Sequence, residues 1–344
     1  GGSPNTGATE EWNGTNWTTV SPLNVARNVL AGVGTTTASL AFGGTPPVGG
    51  QTEEWTVATV NLGAWSTGGT MNTARYATAG AGTQGAALVF GGEPVPSNAQ
   101  TESYNGTSWT EVNDLNTGRQ TLGGTGDAQT SILAAAGYQG SSYYTEAESW
   151  NGTNWTEVNN LSLGRSAVGM SGTSNTSALV FGGGLPGAPP TANTESYNGT
   201  NWTEVNNLNT ARRDLGGGGT ATAALAFCGN PPDSTGVTEL WNGTNWTEVN
   251  DLNSGRYSPG EVGQSSTAIL ACGGGDPAKA LVEEWNGTNW TETTDMSTAR
   301  RDTSGGGTTS SGIIMSGYTG TAATANSEEW TGAGASVTRT FTDS

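Results

Sequence analysis

No histidine occurs in the 344 residues, which removes Ser-His-Asp and Cys-His catalysis and the commonest metal ligand together. Lysine is nearly absent: Lys279 is the only one, and 11 basic residues face 29 acidic ones for a net charge of −18. Nucleic-acid affinity rests largely on Lys and Arg at phosphates, so no nucleic-acid partner is expected. There are two cysteines, Cys228 and Cys272. They end equivalent strands of successive repeats at positions one residue apart, so their side chains should point to different faces and not pair. They read as small buried hydrophobes. No apolar run approaches the roughly 18 residues a membrane helix needs, and no membrane insertion is expected.

What the chain has in excess is glycine, 56 residues, with much Thr, Ser and Asn. Without a period this composition would mean disorder. Here it returns at fixed offsets. The unit is clearest from Thr194 to Gly229, TESYNGTNWTEVNNLNTARRDLGGGGTATAALAFCG. TESY reads as a short strand, Asn-Gly as a hairpin turn that tolerates positive φ, and NWTEV as the returning strand. After the turn NLNT come two more extended runs, ARRDLGGGGT and ATAALAFCG. Four short strands without helical periodicity make one propeller blade.

The aromatic ending the first run marks each copy: Trp12, Trp55, Tyr104, Trp150, Tyr197, Trp241, Trp285 and Trp330. The seven intervals average about 45 residues, within the range for propeller blades. A second Trp follows five residues later in most copies, and an insertion moves it to Trp65 in the second. One arginine recurs after the turn: Arg27, Arg75, Arg119, Arg165, Arg212, Arg256 and Arg300. Each copy ends in Gly-Gly or a close variant, then a spacer of variable sequence, where eleven of the thirteen prolines lie.

The double glycine after the second strand, the acid-x-aromatic run and the following Trp resemble the kelch-repeat β-propellers over essentially the whole chain. The TESWNGTNWTEVNDLNT-type text is also similar to repeats of marine phage and environmental proteins. The resemblance implies that ARRDLGGGGT is innermost in its blade, followed by AALAFCG, TESY and NWTEV. Copper oxidases share the kelch-like fold, but their His and Tyr ligands have no counterpart here.

The expectation is therefore an all-β propeller of four-stranded blades, a single domain over residues 1–344 that begins in mid-repeat. Seven inner-strand pairs meet eight outer pairs, the last a degenerate stretch from Ser327 to Thr342. Either residues 26–342 make seven blades, or the N-terminal hairpin closes the ring, or eight blades begin upstream. Seven is the favoured count, with eight as the alternative.

Gly80–Gly85 matches GxGxxG, but a strand follows it where a dinucleotide site needs a helix. The repeated acids, such as Glu195 and Glu239, could run glycoside hydrolysis as pairs. They are copies of one position, however, and pairing with the recurring arginines to fix blade geometry is the better reading. Eleven N-x-T patterns fall in the hairpins, where Asn-Gly turns and strand Thr explain them without glycosylation. No catalysis, cofactor or metal is expected.

Binding is assigned to the spacers, since loops on a rigid scaffold usually carry it. The candidates are Tyr138, Tyr143, Tyr144 and Tyr318, with Asp233 and Lys279 in two other spacers. Aromatic faces beside hydroxyl and amide groups suit a sugar or an extended peptide. The reading is a non-enzymatic extracellular propeller, a virion appendage that touches a host-surface glycan or protein or other virion subunits. A cell-surface or secreted scaffold, including a homo-oligomeric filament, is the alternative, and a kelch-like secreted enzyme is the weakest one.

Overall fold

Asn-Gly hairpins set the outer edge of five of the four-stranded sheets. In NGTN the first Asn folds its side chain back: Asn242 Oδ1 accepts the backbone N–H of Thr244 and Asn245, both at 2.9 Å. Gly243 supplies the positive φ of 91°. The turn brings Trp246 opposite Trp241 and pairs Thr238–Trp241 with Trp246–Val249. The inner strands of this blade are Gly216–Thr220 and Ala223–Phe227, and the four run antiparallel in the order implied by the resemblance.

The computed structural model describes residues 63–231 and 235–332 throughout and, within residues 1–62, chiefly the backbone of five strands. The chain divides into two compact units, residues 1–61 with 333–344 and residues 62–332. The first holds a hairpin, Thr9–Trp12 with Trp17–Val20, and a three-stranded sheet of Ala31–Gly34, Ala38–Phe42 and Thr52–Thr56.

The second unit is a β-propeller of six four-stranded blades. Blades one to five cover residues 79–112, 123–158, 169–205, 216–249 and 260–292. Blade six joins Ser304–Thr308, Ser311–Met315 and Glu328–Thr331 to the strand Ala64–Thr67. No α-helix occurs among the described residues. Glycine lines the axis because backbones crowd there: a Cβ on Gly305 would sit 2.2 Å from the Glu261 carbonyl oxygen of blade five.

The core lies between blades. Leu88 and Phe90 of blade one pack with Ile132, Ala134, Trp150 and Trp155 of blade two. Phe90 meets Trp155 edge-on with ring centroids 4.9 Å apart, and Phe181 meets Trp246 likewise. The outer Trp of one blade also donates to the Thr opening the third strand of the blade before it. Trp155 Nε1 reaches Thr101 Oγ1 at 3.1 Å, Trp246 reaches Thr194 at 3.2 Å, and Trp290 reaches Thr238 at 3.1 Å.

The count of seven or eight blades is corrected to six. Seven inner-strand pairs exist, but the pair Ala31–Gly34 and Ala38–Phe42 belongs to the other unit. The insertion between Trp55 and Trp65 has no Asn-Gly turn, so nothing local binds Ala64–Thr67 to Thr52–Thr56. Instead Trp65 pairs with Trp330 of the last repeat. The N-terminal hairpin does not close the ring either, and residues 333–344 lie outside the described residues.

Candidate functional site

Six residues, each two beyond the repeated arginine, have left-handed backbone: Ala77, Thr121, Ala167, Asp214, Ser258 and Asp302, with φ of 48–56°. None is glycine, so each conformation costs something locally. The recovery is collective. Each N–H donates to the carbonyl of its counterpart in the preceding blade, at 2.7–3.1 Å, from Thr121 to Ala77 and finally from Ala77 to Asp302. Six hydrogen bonds close a circle around the axis.

These six residues line one mouth of the axial channel, with a cavity of about 80 Å³. A second cavity of about 50 Å³ lies among the glycine-rich strands, and Glu261 lines both. Each is large enough for a few water molecules. Burial pushes the Glu261 carboxyl up to about 8 and the Asp214 and Asp127 carboxyls up to about 6. Asp302 is raised by the same cause. Among the described residues no group of three or more His, Cys, Asp or Glu is placed to hold a metal ion.

The spacers lie on this mouth's side, bonded to the turns that lead into the next blade. Leu115 N–H donates to Ala99, Leu208 to Ala192 and Met296 to Ala280, each at 3.0 Å. Under them sit the repeated arginines. Arg75, Arg119, Arg165, Arg212, Arg256 and Arg300 are fully buried and pair at 2.5–3.0 Å with Glu102, Glu148, Glu195, Glu239, Glu283 and Glu328. Each glutamate also accepts turn N–H groups, as Glu239 does from Asn209 at 2.7 Å. The pairs therefore lock the inter-blade turn beneath its own blade. Arg27 lies outside the described residues.

The binding candidates do not form one cluster. Tyr138 and Tyr143 face each other across a two-residue-per-strand hairpin, centroids 5.1 Å apart, and the Tyr138 hydroxyl bonds the Gly140 carbonyl. Tyr144 anchors the hairpin through its backbone N–H to Gly137 at 2.9 Å. Tyr318 belongs to a different group, 5.4 Å from Tyr76. Lys279 sits over the blade-five turn, Nζ to Ser254 Oγ at 3.3 Å, and Asp233 lies outside the described residues.

Sequence reasoning missed the residue directly after each repeated arginine: Tyr76, Gln120, Ser166, Arg213, Tyr257 and Arg301. Each pairs through its backbone with the segment after the double glycine, as Tyr76 does with Glu93 and Arg301 with Tyr318. The Tyr76 hydroxyl and the Gln120 amide both bond the Glu93 carboxylate. That bond, with burial, pushes the Tyr76 hydroxyl up to about 12. The guanidinium of Arg301 lies 5.4 Å from the Tyr318 ring centroid and 3.3 Å from the Tyr257 hydroxyl. The available signal was a single position varying freely between an unvarying Arg and a small-residue strand. Compared with known proteins, the chain matches no protein family and no curated protein.

Proposed function

We propose that this is a non-enzymatic binding propeller that presents the spacer side of its ring to a partner. The observation that carries it is a contrast within that side. Its backbone repeats six times through one hydrogen-bonded circle, while the side chains around the circle do not follow that repeat: Tyr76, Gln120, Ser166, Arg213, Tyr257 and Arg301 lie at one equivalent position, and only Tyr and Arg recur there. A repeated scaffold bearing unrepeated aromatic and polar groups is how a rigid frame displays specificity. The double glycine after the second strand of the four-stranded blades supports the kelch-type reading. The likeness to phage and environmental repeats favours a virion appendage displayed outside the cell, and the acidic charge favours a neutral partner such as a surface glycan.

The test is attachment of labelled protein to a glycan array and to intact bacterial surfaces. Replacing Tyr138, Tyr143 and Tyr144 together by Ser is expected to weaken attachment while the thermal transition stays within a few degrees. Full attachment by the triple variant moves the site away from the blade-two hairpin. No attachment by the unaltered protein to any surface overturns the reading.

A further inference from the structure

Resting on that binding reading, we infer that Arg301, Tyr257, Tyr318, Tyr76 and Asp276 form a subsite for one unit of a neutral saccharide. Three observations converge there. The first is an arginine whose hydrogen-bonding capacity is largely unused. The Arg301 guanidinium makes one hydrogen bond, at 3.3 Å to the Tyr257 hydroxyl, and its ionic contacts to Asp276 and Asp302 are loose at 3.5 and 3.6 Å. Its Nε is shielded from solvent and has no hydrogen-bond partner. Five of the six repeated arginines next door also have one unpartnered buried nitrogen, so the difference lies in the ionic contact: each of the six closes on a glutamate at 3.0 Å or less, whereas Arg301 has no carboxylate nearer than 3.5 Å. A planar fork held ready but unfilled points to an oxygen-rich ligand.

The second observation is the aromatic surround. Tyr318 lies 5.4 Å from the Tyr76 ring and beneath the Arg301 guanidinium, and Tyr257 from blade five bonds the same guanidinium. All three tyrosines are half-buried, so their rotamers are restrained before any ligand arrives and little entropy is lost on binding. Tyrosine rings offer apolar faces to the C–H side of a pyranose and hydroxyls to its rim.

The third is the mixture of donors and acceptors, which decides the charge of the ligand. Asp276 is exposed beside Arg301, and Asp302 sits at the edge of the mouth cavity with Ser258. A carboxylate or sulfate would meet both aspartates and the wider charge of −18. A sugar hydroxyl donates to an aspartate while it accepts from Arg301, so a polyol satisfies both signs at once. The opposite arc of the same circle offers no comparable group: its positions are Ser166, Gly184 and Asn230, with Arg213 exposed beside Asp214.

Calorimetric titration of the full chain with neutral hexasaccharides of glucose, mannose and N-acetylglucosamine, and with hexagalacturonate, tests this. Saturable binding of at least one neutral hexamer is expected, with none for hexagalacturonate. Arg301→Met should weaken that binding at least tenfold. Asp276→Asn, at an exposed position whose contact to Arg301 is a loose 3.5 Å, should weaken it measurably with an unchanged thermal transition, which keeps the test independent of folding. Preference for hexagalacturonate, or variants that bind like the unaltered protein, overturns the subsite. If cells or arrays retain the protein while no neutral hexamer binds, the subsite fails and the broader binding reading stands.

Discussion

Trp202 is an outer-strand tryptophan whose indole N–H finds no acceptor, although it is shielded from solvent. The cause lies one blade away. Where blades one, three and four open their third strand with Thr101, Thr194 and Thr238, blade two has Ala147, so the hydroxyl is missing. Ala147→Thr restores it at a position where threonine fits three times already. The new hydroxyl can in turn donate two residues back, as Thr238 does to Gly236. A gain of about 0.5–1.5 kcal/mol in denaturant unfolding is expected, and no gain would mean that the N–H is already satisfied by water.

The buried ion pairs behave less simply. Arg212→Ala leaves Glu239 unpaired and should cost about 3–5 kcal/mol. Replacing a buried pair by apolar residues is often neutral, but not here. Glu239 also serves the N–H groups of Asn209 and Thr210, so Arg212→Met with Glu239→Leu should remain about 1–3 kcal/mol below the original. A double variant as stable as the original would show that the turn finds other acceptors. Such pairs were legible because both partners recur at fixed spacing. The binding candidates were legible only in part. Tyr318 drew notice as a spacer aromatic, but its partner Tyr76 precedes it by more than two hundred residues, and only ring closure brings them together.

At the scale of strands, the double glycine explains its own irregularity. The first position has φ of 62–68° in all six blades and is filled by Gly91, Ala136, Gly182, Cys228, Gly273 and Ser316. The second has φ of 91–118° and is glycine every time, because no side chain tolerates that region. Cys228 thus occupies a backbone position that admits small residues. Cys272, by contrast, is a core residue at the end of Ala268–Cys272. Both thiols are free and fully buried, which pushes the Cys228 thiol up to about 12 and raises that of Cys272 as well. The ring's seam is where local signals run out. Every other outer strand follows its partner through an Asn-containing hairpin, whereas Ala64–Thr67 meets Glu328–Thr331 from the far end of the unit. The seam depends on Trp65, 5.1 Å from Trp330 and bonded through Nε1 to the Thr294 carbonyl at 2.9 Å. Trp65→Ala should cost about 3–5 kcal/mol. Its hydrogen exchange should also differ in kind, with amides of Glu328–Thr331 exchanging faster than those of Thr194–Tyr197. Uniform acceleration around the ring would mean that the six blades open together and the seam is no weaker than any other contact.

For the whole molecule, the acids that burial perturbs all move the same way. Glu261 is raised to about 8, Asp127 and Asp214 to about 6, and Asp302 and Glu284 are raised too, with burial the largest cause in each. In the unfolded chain these groups release their protons near pH 4, as ordinary carboxyls do. Between that value and the folded one, the native state holds protons that the unfolded state has lost, so stability falls as pH rises. Repulsion among the 29 acids adds to the fall in the same direction. The thermal midpoint should therefore be highest near pH 5 and several degrees lower at pH 8, and it should fall further above about pH 9, where the unfolded chain's thiols ionise while the buried Cys228 and Cys272 thiols keep their protons. Two substitutions divide the window. Asp214→Asn, which suits the left-handed backbone at φ 56°, should flatten the slope between about pH 4 and 6. Glu261→Gln should flatten the slope from about pH 4 through to 8, and of the two substitutions it alone should act above about pH 6, because burial raises that carboxyl to about 8. It would keep the side chain's volume between the two axial cavities, so packing is held constant while the charge is removed. A midpoint that rises from pH 5 to 8 would mean that the channel solvates its carboxylates well enough to keep them ionised in the native ring.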